Sequence, residues 1–307
     1  MKKTYLLTFC LLLAACGQAT QIPPTPQEPT PQEPTPPPAD TQVPPTETPE
    51  PVATVFDFPF SSQKLEDDLT IQIALPAGYE ESPDVEYDSI YLLDANYFFT
   101  ATGTLDYLMT VRGAGMAQIV QDLIRDEKIP PSILIGIGYT EAQRSRFTMG
   151  SKVEAFYEFF TDELIPEIES RFRVSTSAQD RLLFGYSGSA QFSTYVLIHE
   201  ASTETETFNK FISISGVYDR YQVLYRPAEA IFQGSDTDVF AGKSLFIAVG
   251  TDDPKTQLVN AHRAFTEELA SREYADFRLY HTEFEGKGHY DLPEFAFAEA
   301  MIWMFGE

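Results

Sequence analysis

One serine lies between small residues, at the point where a short apolar run gives way to a helix-like segment. The segment reads Leu182-Leu183-Phe184-Gly185-Tyr186-Ser187-Gly188-Ser189-Ala190. This layout is typical of a nucleophile elbow, a strained turn that presents the serine hydroxyl while strand and helix approach closely. Gly185, Ser189 and Ala190 are small enough for that approach, although the usual pattern has glycine at the position of Ser189. Taken alone, the motif also fits a glycine turn capped by serine.

A catalytic serine needs two partners, because its hydroxyl is a weak nucleophile at neutral pH. A neutral imidazole must take its proton, and a carboxylate must orient that imidazole. Asp252 and Asp253 follow an apolar run that ends at Val249, and Pro254 fixes the backbone beyond them. Asp253 is the first choice for the acid and Asp252 the second. The alternative is that both aspartates cap the helix that follows.

The predicted base is His289, which stands between glycines in a loop after a late strand. Gly286 and Gly288 allow that loop to bring the imidazole back over the edge of the sheet. The remaining histidines have structural explanations within helices or a strand; they are His199, His262 and His281. His281 is the second choice for the base. The chain order serine, acid, histidine is that of the α/β hydrolases.

The same chemistry requires an oxyanion hole, two backbone N–H groups that point at the developing negative oxygen. One donor is expected to be Gly188, the residue after the nucleophile. The other is expected from the loop Asp94–Phe98, which follows an early apolar run. Asn96 is the first choice and Ala95 the second. The loop also fits a simple Asx-type turn.

These residues fall at the ends of predicted strands. Five apolar runs suit strands that are buried on both faces: Ser89–Leu93, Ser132–Ile137, Arg181–Phe184, Phe211–Ile214 and Ser244–Val249. An early strand at Leu69–Leu75 alternates and is expected to be antiparallel, and Leu279–Phe284 is a late strand. Helical spacing occurs in Gly115–Asp126, Val153–Phe172, Ala190–His199, Gln257–Arg272 and Glu294–Phe305. The alternation predicts an α/β fold, a mostly parallel central sheet flanked by helices on both faces, with ligands beyond the carboxyl ends of the strands.

The beginning of the chain has the features of a bacterial lipoprotein. Lys2 and Lys3 precede an apolar stretch that ends in Leu13-Ala14-Ala15-Cys16. We expect residues 1–15 to be a signal peptide and Cys16 to carry lipid; an uncleaved signal anchor is the alternative. Either version tethers the protein on the outer side of a bacterial membrane, at the cell surface or the periplasmic face. Residues 16–53 are expected to be a proline-rich, disordered linker, since 13 of the 22 prolines fall at 17–53.

Residues 54–307 are expected to form one large domain. Its stability must come from a core, because the two cysteines, Cys10 and Cys16, both lie in the export segment. The formal charge of −25 becomes −27 when Lys2 and Lys3 are removed. So acidic a chain is not expected to bind nucleic acid.

Several stretches together resemble the putative esterase family of α/β hydrolases, which includes esterase D, the enterochelin esterases and the antigen 85 mycolyltransferases. The resemblance spans about Phe58 to Phe305 and rests on these stretches: Leu75–Tyr79, Tyr91–Ala95, Ile135–Tyr139, Phe156–Arg173 leading into the elbow, and Gly286–His289. It implies an α/β-hydrolase fold and a serine hydrolase that needs no cofactor.

Carried over from that family, the functional residues coincide with those found from the chain itself. The nucleophile is Ser187, the acid Asp253 or Asp252, the base His289, and the oxyanion donors Gly188 and Asn96. The chain departs from the family pattern at four positions. The family usually has histidine at Tyr186, two glycines at Ser189 and Ala190, and glycine at Ala95.

Three residues near these strand ends are predicted to contact substrate: Tyr186, Tyr97 and Arg144. Arg144 belongs to the stretch Arg144-Ser145-Arg146, which is similar to an arginine-rich segment of the family; a solvated salt bridge is its alternative role. No metal site is expected, because Asp236-Thr237-Asp238 lacks the further ligands of a calcium loop.

The sequence therefore predicts a membrane-anchored, extracytoplasmic serine hydrolase. It would cleave carboxylic esters, either small molecules or glycan esters, through an acyl-enzyme on Ser187. Acyl transfer to a sugar or another alcohol is the first alternative, because the same acyl-enzyme can react with a nucleophile other than water. A non-catalytic binding lipoprotein that kept the fold is the second, since the elbow is altered.

Overall fold

The computed structural model describes residues 53–101, 104–105, 109–110, 115–218 and 231–306. The strands in these residues are β1 (Thr54–Ser62), β2 (Asp67–Leu75), β3 (Asp88–Leu93), β4 (Thr104–Leu105), β5 (Met109–Thr110), β6 (Ser132–Gly138), β7 (Arg181–Tyr186), β8 (Lys210–Ile214), β9 (Ser244–Gly250) and β10 (Arg278–Phe284). Eight of them form one sheet in the order β1-β2-β6-β3-β7-β8-β9-β10, and β4 pairs with β5.

The large sheet is mostly parallel. Strand β2 is antiparallel to both of its neighbours, β1 and β6, and every later pair from β6 across to β10 is parallel. The carboxyl ends of β3, β7, β8, β9 and β10 therefore meet at one edge of the sheet. Parallel strands need crossover connections, and helices supply most of them here.

The helices are α1 (Ala95–Phe98), α2 (Met116–Arg125), α3 (Glu141–Thr148), α4 (Val153–Phe159), α5 (Ile165–Arg171), α6 (Gly188–Thr203), α7 (Thr256–Ala270) and α8 (Pro293–Phe305). A π-helical turn, Phe160–Leu164, joins α4 to α5 without a break. Pro166 lies in the first turn of α5, and proline cannot continue regular α-helical bonding to the preceding turn. The wider turn accommodates it.

Two apolar clusters cover the two faces of the sheet. Alternate side chains along a strand point to opposite faces, so Leu183 of β7 belongs to one cluster and Phe184 to the other. The first cluster takes residues from α3 to α7, and the second takes residues from α1, α2 and α8. Both faces are thus buried beneath helices, which explains why the central strands are apolar along their whole length.

The predicted architecture is confirmed: a mostly parallel sheet with helices on both faces, and β2 antiparallel as its alternation indicated. The sequence analysis missed β1, an edge strand. Six of its nine side chains are exposed, including Val55 and Phe56, so it has too little buried surface to give a clear pattern. It also missed α3, which was interpreted as an arginine-rich stretch rather than as a helix.

The predicted signal peptide, Cys16 and nearly all of the predicted linker lie outside the described residues. Among the residues that the structure does describe, no helix is long and apolar enough to cross a membrane.

A buried ion pair joins the end of α6 to the start of β9. Lys243 Nζ lies 2.9 Å from Glu200 Oε2, and both side chains are almost inaccessible to solvent. Glu200 also accepts hydrogen bonds from the Tyr157 hydroxyl at 3.2 Å and from the Thr207 N–H at 3.1 Å. With so many partners the carboxylate is well satisfied, so removing the ammonium would leave a buried charge uncompensated.

Lys243→Met is therefore expected to lower the free energy of unfolding by about 3–5 kcal/mol. The matched control is Arg263→Met, which breaks the Arg263–Glu283 pair, whose side chains are 57% and 29% exposed. Exposed pairs contribute little to stability, so this variant should lose much less. Urea unfolding of both variants measures the difference, and equal losses would contradict the structural role given to Lys243.

Candidate active site

Ser187 occupies a strained turn between β7 and α6. Its backbone has φ 56° and ψ −116°, a left-handed conformation that non-glycine residues rarely adopt. A Cβ at Gly185 would lie 2.1 Å from the main-chain oxygen of Ser189, so only glycine allows the first turn of α6 to approach β7 this closely. The Ser187 N–H donates to the Ile214 carbonyl of β8 at 2.8 Å. The segment therefore has the geometry of a nucleophile elbow.

The departure at Ser189 is accommodated by a buried hydrogen bond. Its side chain is fully buried, and its hydroxyl lies 3.0 Å from the hydroxyl of Tyr139, the residue after β6. The Tyr139 hydroxyl also accepts the N–H of Asp94, which follows β3, at 3.2 Å. The tight position of the elbow is Gly185, so serine at position 189 does not disturb the turn.

The structure brings three of the predicted residues into one hydrogen-bonded chain. His289 Nε2 lies 3.2 Å from Ser187 Oγ, and His289 Nδ1 lies 2.7 Å from Asp253 Oδ2. The other carboxylate oxygen of Asp253 accepts the Lys255 N–H at 2.8 Å. Ser187 is 8% exposed, His289 is 2% exposed and Asp253 is 3% exposed. The arrangement can take the serine proton and hold the imidazole in one tautomer.

The two candidate acids have different surroundings. Asp252 is exposed, and its carboxylate accepts the neighbouring Thr251 hydroxyl at 3.2 Å. Helix α7 has Lys255 at its N-cap position and no side-chain cap. Of the two aspartates, it is Asp253 that faces the imidazole, and neither serves as the cap that the alternative required.

The acid loop and the histidine loop are joined by main-chain contacts. The Asp252 N–H donates to the Lys287 carbonyl at 3.0 Å, and the Gly286 N–H donates to the Thr251 hydroxyl at 3.0 Å. A Cβ at Gly250 would lie 2.1 Å from the Lys287 oxygen. Glycine at that position therefore lets the two loops pack together. His281, the second choice for the base, is exposed within β10.

Both predicted oxyanion donors lie in the first turn of a helix at the same edge of the sheet. Gly188 is the first residue of α6, and Asn96 is the second residue of α1, after buried Ala95. First-turn N–H groups have no carbonyl partner within their own helix. Strands β7 and β3 are parallel neighbours, so the two helices begin side by side. The Asn96 side chain itself accepts the Tyr139 N–H at 3.4 Å.

Arg144 of α3 connects the two loops that carry these donors. Its Nε and Nη2 lie 2.8 and 3.0 Å from the carboxylate oxygens of Asp94, and Nη2 also donates to the Tyr186 carbonyl at 2.9 Å. Burial acts to lower the pKa of Arg144, but Asp94 outweighs it and the pKa rises above its usual value. The ion pair is buried rather than solvated, unlike the alternative drawn from the sequence. Neighbouring Arg146 pairs with Asp67 instead.

The two tyrosines predicted to contact substrate are buried. The Tyr97 hydroxyl donates to Glu141 at 3.2 Å, and burial, with Glu141 nearby, raises the pKa of Tyr97 to about 12. The Tyr186 hydroxyl donates to the main-chain carbonyl of His289. Tyr186 is 3% exposed, and its ring lies against the imidazole of His289. The sequence predicted a contact between Tyr186 and substrate; the contact seen in the structure is with His289.

Sequence reasoning missed the roles of Asp94, Tyr139 and Ser189. The sequence did contain a signal for the Asp94–Arg144 pair. Asp94 follows β3 and Arg144 follows β6, and these neighbouring parallel strands end at the same edge of the sheet. No pattern along the chain pairs Tyr139 with Ser189, which are 50 residues apart.

Comparison with known proteins gives a consistent result. A family model described as "Putative esterase" matches residues 62–303. The ferri-bacillibactin esterase BesA of Bacillus subtilis is 25% identical over 241 residues, which cover 67% of this chain and 75% of that protein. An IroE-like serine hydrolase from Shewanella oneidensis superposes with a TM-score of 0.65 at 19% identity, over 82% of this chain and 80% of the other.

A third similar structure is the enterobactin esterase FES from Shigella flexneri, crystallised in the presence of 2,3-dihydroxy-N-benzoyl-glycine. It has a TM-score of 0.61 at 16% identity, over 83% of this chain and 60% of that one. At such identities the structures establish a shared fold.

The pH dependence of turnover follows from the environment of His289. Burial lowers the pKa of His289 below its usual 6.5, and Asp253 partly opposes that. The base must be neutral, so kcat/KM should fall only below about pH 6.5. Asp253→Asn removes the opposing charge and should move this fall to lower pH, while kcat drops roughly 10⁴-fold. Profiles of aryl ester hydrolysis measure both effects.

The control for that experiment is Asp252→Asn, which removes an equal charge from the same loop. Its pH profile and kcat should match those of the unaltered protein, because Asp252 is exposed and does not contact the imidazole. Equal effects of the two substitutions would exclude Asp253 as the orienting acid.

Proposed function

The chain belongs to the putative esterase family, and we propose that it cleaves carboxylic esters through an acyl-enzyme on Ser187. The observation that carries the proposal is the hydrogen-bonded chain from Ser187 through His289 to Asp253, at 3.2 and 2.7 Å. The elbow supports it further, because a non-glycine residue held at φ 56° is a strained position of the kind that clusters at functional sites.

In the first half of the reaction, neutral His289 takes the proton of Ser187 while Oγ bonds to the ester carbonyl carbon. The carbonyl oxygen becomes an oxyanion, which the N–H groups of Gly188 and Asn96 or Ala95 stabilise. Asp253 stabilises the imidazolium. The intermediate then expels the alcohol oxygen, which takes the proton from His289 and leaves the acyl group on Ser187.

In the second half, water attacks the acyl carbon and gives its proton to His289. The bond to Ser187 Oγ breaks, the carboxylic acid leaves, and His289 returns the proton to Oγ. Arg144 contributes by holding the two loops that carry the oxyanion donors, since it bonds to Asp94 on one and to the Tyr186 carbonyl on the other. No step requires a cofactor.

The natural substrate is proposed to be a small-molecule ester that carries an aromatic ring. Tyr290 follows the base, its ring lies 5.1 Å from the imidazole, and half of its surface is exposed. Phe295 is equally exposed, and Lys287 Nζ lies 4.8 Å from its ring. Exposed rings with a cation beside one of them suit an aromatic, electron-rich group. The named activities of two relatives, on ferri-bacillibactin and enterobactin, support small-molecule esters as the class to test first.

The non-catalytic alternative is weaker than the enzymatic one. It depended on the altered elbow, and the altered position, Ser189, is accommodated by its hydrogen bond to Tyr139.

A fluorophosphonate probe should label Ser187 in the full chain, because the probe reacts with an activated serine hydroxyl. Ser187→Ala should abolish both labelling and aryl ester turnover. Ser189→Ala is the matched control, since it removes the other serine of the same motif, and it should remain labelled. Peptide mass spectrometry identifies the modified residue. Full turnover by Ser187→Ala would eliminate the proposed mechanism.

We also propose that the chain is exported and held on the outer side of a bacterial membrane by lipid on Cys16. The positive residues Lys2 and Lys3, the apolar stretch and the Leu13-Ala14-Ala15-Cys16 segment support this. The proline-rich segment at 17–53 would then hold the enzyme away from the lipid surface.

Cys16→Ser should move the protein from the membrane fraction to the soluble extracytoplasmic fraction or stop its processing. Metabolic labelling with a fatty acid should be lost at the same time. Cys10→Ser is the control, because that residue lies within the segment predicted to be removed, and it should leave the lipid in place. Lipid incorporation into Cys16→Ser would refute the anchor.

A further inference from the structure

Tyr186 connects the strand of the nucleophile to the main chain of the base. It is the last residue of β7, directly before Ser187, and its hydroxyl donates to the His289 carbonyl. Its ring centroid lies 5.0 Å from that of the imidazole, with the planes inclined by 40°. Burial raises the pKa of Tyr186 well above its usual value of 10, so the phenol keeps its proton and remains a donor.

The histidine loop is bonded to β7 at the base itself. It runs from β10 through Gly286, whose φ is +71°, and Gly288 before it reaches His289. Its bonds to the acid loop are made by Lys287 and Gly286, upstream of the base. The imidazole is held at Nδ1 by Asp253, but that bond alone lets the ring move whenever the main chain of His289 moves.

Tyr186 is itself firmly held. Its carbonyl accepts Arg144 Nη2 at 2.9 Å, and Phe98 packs edge-to-face against its ring at 5.2 Å between centroids. With 3% of its surface exposed, it has no open face for a substrate. The main chain of His289 is therefore held by a rigid side chain, and that side chain belongs to the residue directly before the nucleophile.

We propose that Tyr186 is a positioning residue, which sets the distance between Ser187 Oγ and His289 Nε2 by holding the main chain of His289. The inference rests on the proposed function, because that distance matters for rate only if His289 takes the serine proton. Tyr186 does not touch the reacting atoms. Its effect is expected in kcat, since misplacement of a reacting group by about 1 Å can cost on the order of a hundredfold.

Tyr186→Phe keeps the ring and removes the hydroxyl. On an aryl ester, kcat should fall about ten- to a hundredfold, while KM changes less than about twofold. Tyr157→Phe is the matched control: Tyr157 is also buried, and its hydroxyl bonds to Glu200, away from the site. Both variants should lose similar thermal stability, but Tyr157→Phe should keep its kcat. Equal kcat values for Tyr186→Phe and the unaltered protein would overturn the inference.

A second test separates this inference from the mechanism. In a His289→Ala background, Tyr186→Phe should have no further effect on the residual rate, because it acts through the base. If Ser187→Ala and His289→Ala leave turnover unchanged, the proposed function fails. If they lower it strongly and Tyr186→Phe lowers the small residual rate of His289→Ala by a further factor of ten or more, only the positioning role fails.

A third measurement does not depend on turnover. The proton between His289 Nδ1 and Asp253 should give a resolved low-field NMR signal, because the 2.7 Å hydrogen bond is buried. In Tyr186→Phe this signal should broaden or vanish through exchange with water, and in Tyr157→Phe it should persist. An unchanged signal in Tyr186→Phe would show that the base is held without the tyrosine hydroxyl.

Discussion

The close approach of α6 to β7 at Gly185 is the constraint on which the rest of the site depends. It leaves no room for a side chain at that position and forces Ser187 into a left-handed conformation. Such a conformation costs on the order of 1–3 kcal/mol and persists only where the surroundings fix it. The N–H of Ser187 is bonded to β8, and α6 begins at the next residue, so main-chain packing fixes the position of the hydroxyl.

Buried hydrogen bonds to two carboxylates then place the other groups around that fixed point. Arg144 joins the loop after β3 to the loop after β7, and Asp253 joins the loop after β9 to the base. Electrostatic interactions are stronger in such dry surroundings than in water. Removal of one partner would leave the other charge buried without compensation, which would destabilise the fold. The loops that form the site are therefore held before any substrate arrives, as transition-state stabilisation by backbone N–H groups requires.

The sequence predicted most of this arrangement because the relevant signals are local. Continuous apolar runs marked the buried strands, and the residues after them were necessarily at one edge of a parallel sheet. Ser187, Asp253 and His289 could therefore be selected, although Asp252 could be set aside only once its exposure was known. Contacts between distant residues left no such signal. The Tyr139–Ser189 and Tyr186–His289 bonds depend on side-chain directions that spacing along the chain does not determine. The edge strand β1 was missed because it buries little.

The central claim is that ester cleavage passes through a covalent bond to Ser187 Oγ. Rapid mixing of the full chain with an excess of an aryl ester, acid quenching, and mass measurement of the intact protein and of its peptides test it directly. The account predicts a rapid burst of alcohol, with one acyl group per protein on the peptide that contains Ser187. Steady turnover with no adduct at any time, or an acyl group on a different residue, would contradict it.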